Sequence, residues 1–98
     1  MIKIDTDNQI TLDAMETWGE GQIPILQEEC AECISALARF LRGRTDSGPV
    51  AEEIADVIVS MMSVIPLLGV EDEVKKQMER KLNRLQNRMR GIQWEHLK

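Results

Sequence analysis

Apolar residues recur every three to four positions along three long segments of the chain, which is the spacing of one face of an α-helix. The clearest of these segments runs to about Leu41, and Pro24 suits its first turn because that turn needs no N–H from it. The segment predicts a long amphipathic helix. Its apolar face comprises Ile23, Leu26, Cys30, Cys33, Ile34, Leu37, Phe40 and Leu41.

A shorter helix is predicted before this segment. Thr11 is a suitable capping residue, and the helix extends to about Trp18, where Gly19-Glu20-Gly21 interrupts it. Residues 1–10 show no periodicity and are interpreted as an irregular arm. The whole of 1–98, including this arm, is interpreted as a single helical domain.

A third helix is predicted to open at Pro49, after a loop over residues 42–48, and to end or kink at Pro66 and Gly69. Its apolar positions extend nearly all round the helix, which indicates burial on several sides. A chain of 98 residues offers few helices to cover it. We therefore expect a homodimer or a dimer-of-dimers tetramer. The narrow polar strip comprises Glu52, Glu53, Asp56, Ser60 and Ser63.

The fourth predicted helix starts with acids at Glu71 and Asp72, where the helix dipole favours negative charge. It runs to about Arg90, and Gly91 is predicted to stop it, leaving 91–98 as a tail. The predicted fold class is therefore all-α, a compact bundle of three to four helices completed by oligomerisation. The apolar face of the fourth helix comprises Val74, Met78, Leu82, Leu85, Met89 and Ile92.

Charge is distributed unevenly along the chain. The net charge is −5, which argues against nucleic acid as a partner. The segment from Lys75 to Arg90 nevertheless carries seven basic residues and one Glu. Lys81, Arg84 and Arg88 share one flank of the fourth helix and are predicted to bind phosphate. Neither a signal peptide nor a membrane span is evident, so a cytoplasmic location is expected.

Cys30 and Cys33 form a Cys-x-x-Cys pair, a spacing used in zinc and thiol-redox sites. Zinc needs about two further ligands, and His96 is the one other soft candidate. Thiol-redox motifs of this kind follow a strand, and no strand is predicted here. Both cysteines are therefore interpreted as small apolar residues in the helix face.

Two carboxylate pairs have the spacing that places side chains on one side of a helix. Glu29 and Glu32 lie on the second helix, and Glu53 and Asp56 on the third. Glu28 points away from the pair, towards solvent. A loop of about seven residues allows the two helices to pack antiparallel. The four carboxylates then converge across one groove.

Four converging carboxylates repel one another unless a cation lies between them. Oxygen ligands suit Mg²⁺ or Mn²⁺, and four of them can serve more than one ion. Di-iron sites in helical bundles use Glu-x-x-His, and neither pair ends in histidine, so iron is disfavoured. The alternative is a solvated acidic face, because glutamate is common on helix surfaces. Glu53 and Asp56, however, occupy a polar strip on a helix that is otherwise predicted to be buried.

The run Glu28-Glu29-Cys30-Ala31-Glu32, followed by Glu53-Ile54-Ala55-Asp56, resembles the Glu-Glu-x-x-Glu and Glu-x-x-Asp signature of the MazG-like all-α nucleoside triphosphate pyrophosphohydrolases. The similarity spans roughly residues 14–90. It implies that Glu29, Glu32, Glu53 and Asp56 are metal ligands and catalytic residues. The basic segment and the positions of Cys30 and Cys33 depart from the family pattern.

The activity implied by this resemblance is hydrolysis of an NTP or dNTP to the monophosphate and pyrophosphate, by water activated on Mg²⁺. Trp18 is a candidate for stacking on the base, or else a core residue. Gln22 is a candidate for reading the edge of the base, or else an ordinary loop residue. The competing interpretations of the chain are a non-catalytic helical oligomerisation or regulatory module and a di-iron carboxylate protein.

Overall fold

The computed structural model describes the backbone of residues 4–97 and the side chains of residues 4–91. The described backbone is helical and contains no strand, which confirms the all-α prediction. The elements are α1 (Gln9–Trp18), a 3₁₀ turn (Gly19–Gly21), α2 (Gln22–Leu41), α3 (Gly48–Leu68) and α4 (Glu71–Leu97).

The first helix starts earlier than predicted. Asn8 is its capping residue, and the side-chain oxygen of Asn8 accepts hydrogen bonds from the backbone N–H groups of Ile10 and Thr11 at 3.0 and 3.3 Å. Asparagine is at least as good a cap as threonine, and the cap sets where the helix begins. The prediction of Thr11 as the cap was therefore wrong. The predicted irregular arm over 1–10 ends at Asn8, and residues 1–3 lie outside the described part.

The predicted boundaries of α3 are largely confirmed. Pro49 lies in the first turn, where its missing N–H costs nothing. Pro66 stays inside the helix, and Gly69 ends it in a left-handed conformation with φ +63°. The N–H of Val70 then donates to the carbonyl of Ile65 at 3.2 Å, which satisfies one free carbonyl of the last turn.

The predicted end of α4 was wrong. The helix passes through Gly91 and continues to Leu97, so 91–98 is not a separate tail. Glycine inside a helix costs only about 1 kcal/mol relative to alanine, which weakens a helix without breaking it. No proline follows Gly91 to force an end.

The helices pack mainly around α3. The α2–α3 pair makes the most extensive contact, α1 lies against α3 as well, and α4 meets α3 over a small area. The radius of gyration is 17.0 Å, whereas a compact chain of this length has about 13 Å. The three helices α1 to α3 therefore form the bundle, and α4 projects from it rather than completing a compact four-helix arrangement.

The inward face of α3 includes part of the polar strip predicted from the sequence. Ser63 is buried and donates a hydrogen bond to the carbonyl of Thr11 at 2.9 Å, which fastens α1 to α3. Glu53 and Ser60, on the same side of the helix, are half-buried. By contrast Ile54 and Val59 are exposed. Glu53, Ser60 and Ser63 therefore face the neighbouring helices, whereas Glu52 and Asp56 of the same strip are exposed. Part of the apolar surface of α3 is left open.

The apolar face predicted for α2 is only partly covered: Ile23, Leu26 and Cys33 are half-buried, and its other members are exposed. Ile34 and Leu41 are 68% and 84% exposed, and Leu37 and Phe40 are also exposed. The buried residues of α2 are Gln22 and Ala36. The small side chain of Ala36 allows close approach of α3, so that the contact forms about 90° away from the apolar face.

None of the helices over residues 4–97 combines the length and the apolarity that crossing a membrane requires.

The bond between Ser63 and Thr11 gives a test of the packing of α1. We expect Ser63→Ala to lower the free energy of unfolding by about 1 kcal/mol, because a buried hydrogen bond is lost. This corresponds to a fall of roughly 4–8 °C in Tm for a domain of this size. Thermal denaturation followed by circular dichroism measures the change. Ser35→Ala, at an exposed serine of α2, is the control and should leave Tm nearly unchanged. Equal losses in both variants would contradict the role given to Ser63.

Candidate metal site

Antiparallel packing of α2 on α3 brings three carboxylates together. Oxygens of Glu29, Glu53 and Asp56 all lie within 4.8 Å of one another. Glu53 and Asp56 are three residues apart on α3 and project to one side, and Glu29 faces them from the middle of α2. Glu29 and Glu53 are half-buried and Asp56 is exposed, so the cluster opens to solvent on the Asp56 side.

Glu32 lies at the edge of this cluster. It is exposed on α2, one turn beyond Glu29. Its negative charge raises the pKa of both Glu29 and Glu53, and it ranks first among the neighbouring charges for each of them. The two carboxylate pairs identified in the sequence therefore act on one another electrostatically.

Two oxygens of the cluster are buried without a hydrogen-bond partner. They are Oε2 of Glu29 and Oε2 of Glu53. A buried carboxylate oxygen without a donor is costly, and native proteins rarely leave one unsatisfied. Both atoms belong to side chains of the three converging carboxylates, and a cation is a partner that suits such oxygens.

The pKa of Glu29 is raised from its ordinary value of 4.5, first by burial and then by the negative charges of Glu32, Asp56, Glu53 and Glu28, in decreasing order. Among the side chains of residues 4–91, no basic group offsets these charges. The position of Glu28 in this order agrees with its exposure on α2, whereas its neighbour Glu29 is half-buried. The predicted difference in orientation between these two adjacent residues is confirmed.

The pKa of Glu53 is raised for the same reasons. Burial comes first, followed by the charges of Glu32, Asp56 and Glu52. A hydrogen bond with Glu32, available only when a proton lies between the two carboxyl groups, also raises it. The ionised form of each half-buried glutamate is therefore destabilised, and binding of either a proton or a cation removes this destabilisation.

The donor set fits a hard divalent cation. Mg²⁺ and Mn²⁺ take oxygen ligands, and they leave positions for water or phosphate when one or two carboxylates bind each ion. Cys30 and Cys33 are free thiols, and neither belongs to the cluster. Within residues 4–91 the donors that converge are therefore all carboxylate oxygens. Each of the three acidic residues in the cluster had already been identified from its spacing in the sequence.

The basic residues predicted to bind phosphate lie elsewhere in the chain. Lys81, Arg84 and Arg88 are exposed on the part of α4 that projects from the bundle. None of them contributes to the electrostatic environment of Glu29 or Glu53. The structure of one chain therefore groups the carboxylates and leaves this basic flank apart from them.

The two candidate base-binding residues differ in exposure. Trp18 is the last residue of α1 and is 61% exposed, so it is not a core residue within one chain. Gln22 is the first residue of α2 and is buried, which corrects its interpretation as an ordinary loop residue. The 3₁₀ turn between them is short, which keeps Trp18 and Gln22 near each other at the junction of α1 and α2.

Comparison with known proteins gives no relatives: no family model, curated protein or solved structure matches the chain. The function therefore has to be argued from the site itself.

The raised pKa values predict how stability varies with pH in the absence of divalent cations. A carboxyl group with a folded-state pKa above its unfolded value contributes stability that is fully present below the unfolded pKa. That contribution is lost as the pH rises through the folded pKa. For Glu29 and Glu53 the loss begins near pH 4.5 and continues above it. We expect Glu29→Gln and Glu53→Gln to flatten this decline, as measured by urea denaturation in chelator between pH 4 and pH 7.

Glu28→Gln is the matched control, because it removes the same charge from an exposed position one residue away. Its decline with pH should follow that of the wild-type protein. If Glu28→Gln and Glu29→Gln have the same effect, the carboxylates act only through the net charge of the chain, and the cluster has no special role.

Proposed function

We propose that this chain is a Mg²⁺-dependent nucleoside triphosphate pyrophosphohydrolase of the MazG-like type, which hydrolyses an NTP or dNTP to the monophosphate and pyrophosphate. The observation that supports this most directly is the convergence of Glu29, Glu53 and Asp56 on one point, with two buried oxygens that lack a partner. Such a cluster destabilises the fold unless a cation is bound, and enzymes that hydrolyse triphosphates regularly use a divalent cation.

The ligands assigned to the cation are Glu29, Glu53 and Asp56, with Glu32 completing the set from the edge of the cluster. Mg²⁺ or Mn²⁺ bound there would neutralise phosphate charge and lower the pKa of a bound water. The open side at Asp56 leaves room for the phosphates, while the half-buried Glu29 and Glu53 hold charge at the base of the site. Exposed Trp18 is proposed to stack on the base.

The resemblance to MazG-like enzymes supports the same assignment from a separate direction. Its two motif halves, Glu29 with Glu32 and Glu53 with Asp56, correspond to the residues that the helix packing groups together. A non-catalytic oligomerisation module would account for the exposed apolar residues equally well. It gives no reason, however, for half-buried carboxylates that repel one another.

The carboxylates should be indispensable for activity. Glu29→Gln, Glu32→Gln, Glu53→Gln and Asp56→Asn each keep the size of the side chain and remove one charged oxygen ligand. Metal coordination is worth several kcal/mol of transition-state stabilisation, so we expect losses on the order of a hundredfold or more in kcat/KM. The assay is pyrophosphate release from a panel of NTPs and dNTPs in the presence of Mg²⁺.

Glu28→Gln provides the control for these four variants, since it is an exposed glutamate in the same helix. It should retain most of the activity. Loss of activity equal to that of Glu29→Gln would show that the side of α2 assigned to the ligands is wrong. If the wild-type protein releases no pyrophosphate from any nucleotide of the panel, the proposed reaction is refuted.

The basic flank of α4 is proposed to bind the phosphates in the assembled protein, which we propose to be a homo-oligomer. Lys81→Ala and Arg84→Ala should therefore raise KM more than Lys76→Ala or Arg90→Ala, which remove equal charge from other sides of α4. Steady-state kinetics at fixed ionic strength measures the difference. Equal effects at all four positions would instead indicate general attraction of the anionic substrate.

A further inference from the structure

Ala36 is the most deeply buried apolar side chain among the residues whose side chains the structure describes. Its exposed fraction is 0%, whereas Val64 and Ile65 retain 7% and 8%. It belongs to α2, whose most extensive contact is with α3. The distance between the axes of two packed helices varies from about 8 to 10 Å with the side chains at the contact. An alanine at the contact favours the close end of this range.

Ala36 lies on the same side of α2 as the glutamates of the candidate metal site. It follows Glu32 by four residues and Glu29 by seven. These spacings place it about 40° around the helix from Glu32 and about 20° from Glu29, at about 6 Å and about 10.5 Å along the axis. The contact at Ala36 and the carboxylate cluster therefore belong to one interface, about two helical turns apart.

The carboxylate cluster draws its members from both sides of that interface. Glu29 belongs to α2, whereas Glu53 and Asp56 belong to α3. The spacing of Glu53 and Asp56 is fixed within one helix. The distance from Glu29 to this pair instead depends on how closely α2 and α3 approach each other.

The position of Ala36 along the hairpin gives it control over this approach. The two helices are joined by the loop over residues 42–47, and Ala36 lies between this loop and Glu29. A larger side chain at position 36 would push the helices apart on the loop side of the site. Because the loop holds the hairpin together at its closed end, the separation would be at least as large at Glu29 as at Ala36.

The cations that suit such a cluster differ little in size. Mg²⁺ lies about 2.0–2.1 Å from its oxygen ligands and Ca²⁺ about 2.3–2.6 Å. Two oxygens bound to one ion can therefore be at most about 4.2 Å apart for Mg²⁺ and about 5 Å apart for Ca²⁺. The oxygens of the cluster lie within 4.8 Å of one another. At this scale, a change of a few tenths of an ångström in the separation of the helices alters the relative fit of the two ions.

We propose that Ala36 is a positioning residue that sets the cation selectivity of the carboxylate cluster. By holding α2 close to α3, it keeps Glu29 near enough to Glu53 and Asp56 for the smaller ion, Mg²⁺. Widening the interface at this position shifts the selectivity towards Ca²⁺. Ala36 has no group that binds a cation, so it acts only through the position of Glu29. This inference rests on the metal site of the proposed function.

Isothermal titration calorimetry with MgCl₂ and with CaCl₂, in the absence of nucleotide, tests the proposal. Ala36→Val adds two heavy atoms at the contact. It should raise the ratio of the Kd for Mg²⁺ to the Kd for Ca²⁺ by about tenfold, the lower end of the effect that residues supporting metal ligands have. Both ions carry the same charge, so the ratio reports the geometry of the site and not the net charge of the chain.

Ala31→Val is the matched control, because it makes the same change at an exposed alanine of α2 about 140° around the helix from Ala36. Its ratio should equal that of the wild-type protein. Ala36→Ser adds one heavy atom in place of two, so it should shift the ratio in the same direction by a smaller amount. Circular dichroism checks the fold of each variant, and Ala36→Ser decides the question if Ala36→Val does not fold.

Three outcomes would overturn the proposal. The first is an equal loss of affinity for both ions in Ala36→Val, which would mean that Ala36 supports only the stability of the fold. The second is an equal shift of the ratio in Ala31→Val. The third is an unchanged ratio in a folded Ala36 variant.

Failure of this proposal is distinguishable from failure of the proposed function. If the wild-type protein binds Mg²⁺ and the ratio does not respond to Ala36, the metal site stands and only the role of Ala36 is refuted. If the ratio shifts as expected but no pyrophosphate is released from any nucleotide, the role of Ala36 stands and only the proposed reaction is refuted. A wild-type protein that binds neither ion would overturn both.

Discussion

The repulsion among carboxylates held between α2 and α3 is the constraint on which the rest of this account depends. Packing of these helices forces Glu29 and Glu53 into a half-buried position beside Asp56, with Glu32 at the edge. Burial and like charge both raise the pKa of the two glutamates, and no basic side chain in the described part of the chain compensates for them. A fold that keeps such a cluster gives up stability there, and a bound cation would recover it. The acidic centre therefore connects the packing of the chain to the chemistry we propose for it.

The second constraint is the shortage of buried apolar surface. The side of α3 that faces the other helices carries polar groups, and Ser63 uses one of them to fasten α1. Much apolar surface of α2 and α4 then remains exposed. A single chain with this distribution lacks the burial that normally offsets the entropy of folding.

Helical periodicity and residue spacing predicted the helices, the antiparallel pair and the opposite exposure of Glu28 and Glu29 because these features are local or follow from a short loop. The same patterns gave the wrong packing face where one helix carries both a face of large apolar residues and a face of small residues. Ala36 and Gln22 mark the face of α2 that packs on α3, whereas the larger residues Ile34 and Leu41 had indicated the wrong side. The end of α4 was also missed, because Gly91 weakens a helix without ending it. The position of α4 is a tertiary property that no spacing within that helix encodes.

The most direct test of the metal site compares the order of stability of two proteins with and without Mg²⁺. In chelator, Glu53→Gln should melt at a higher temperature than the wild-type protein, because it relieves repulsion in the cluster. With saturating Mg²⁺ the order should reverse, because a cation that binds the folded state stabilises only a protein with its ligands intact. Na⁺ at matched ionic strength controls for screening. If the two melting temperatures rise in parallel as Mg²⁺ is added, the carboxylates do not form a cation site and the account is contradicted.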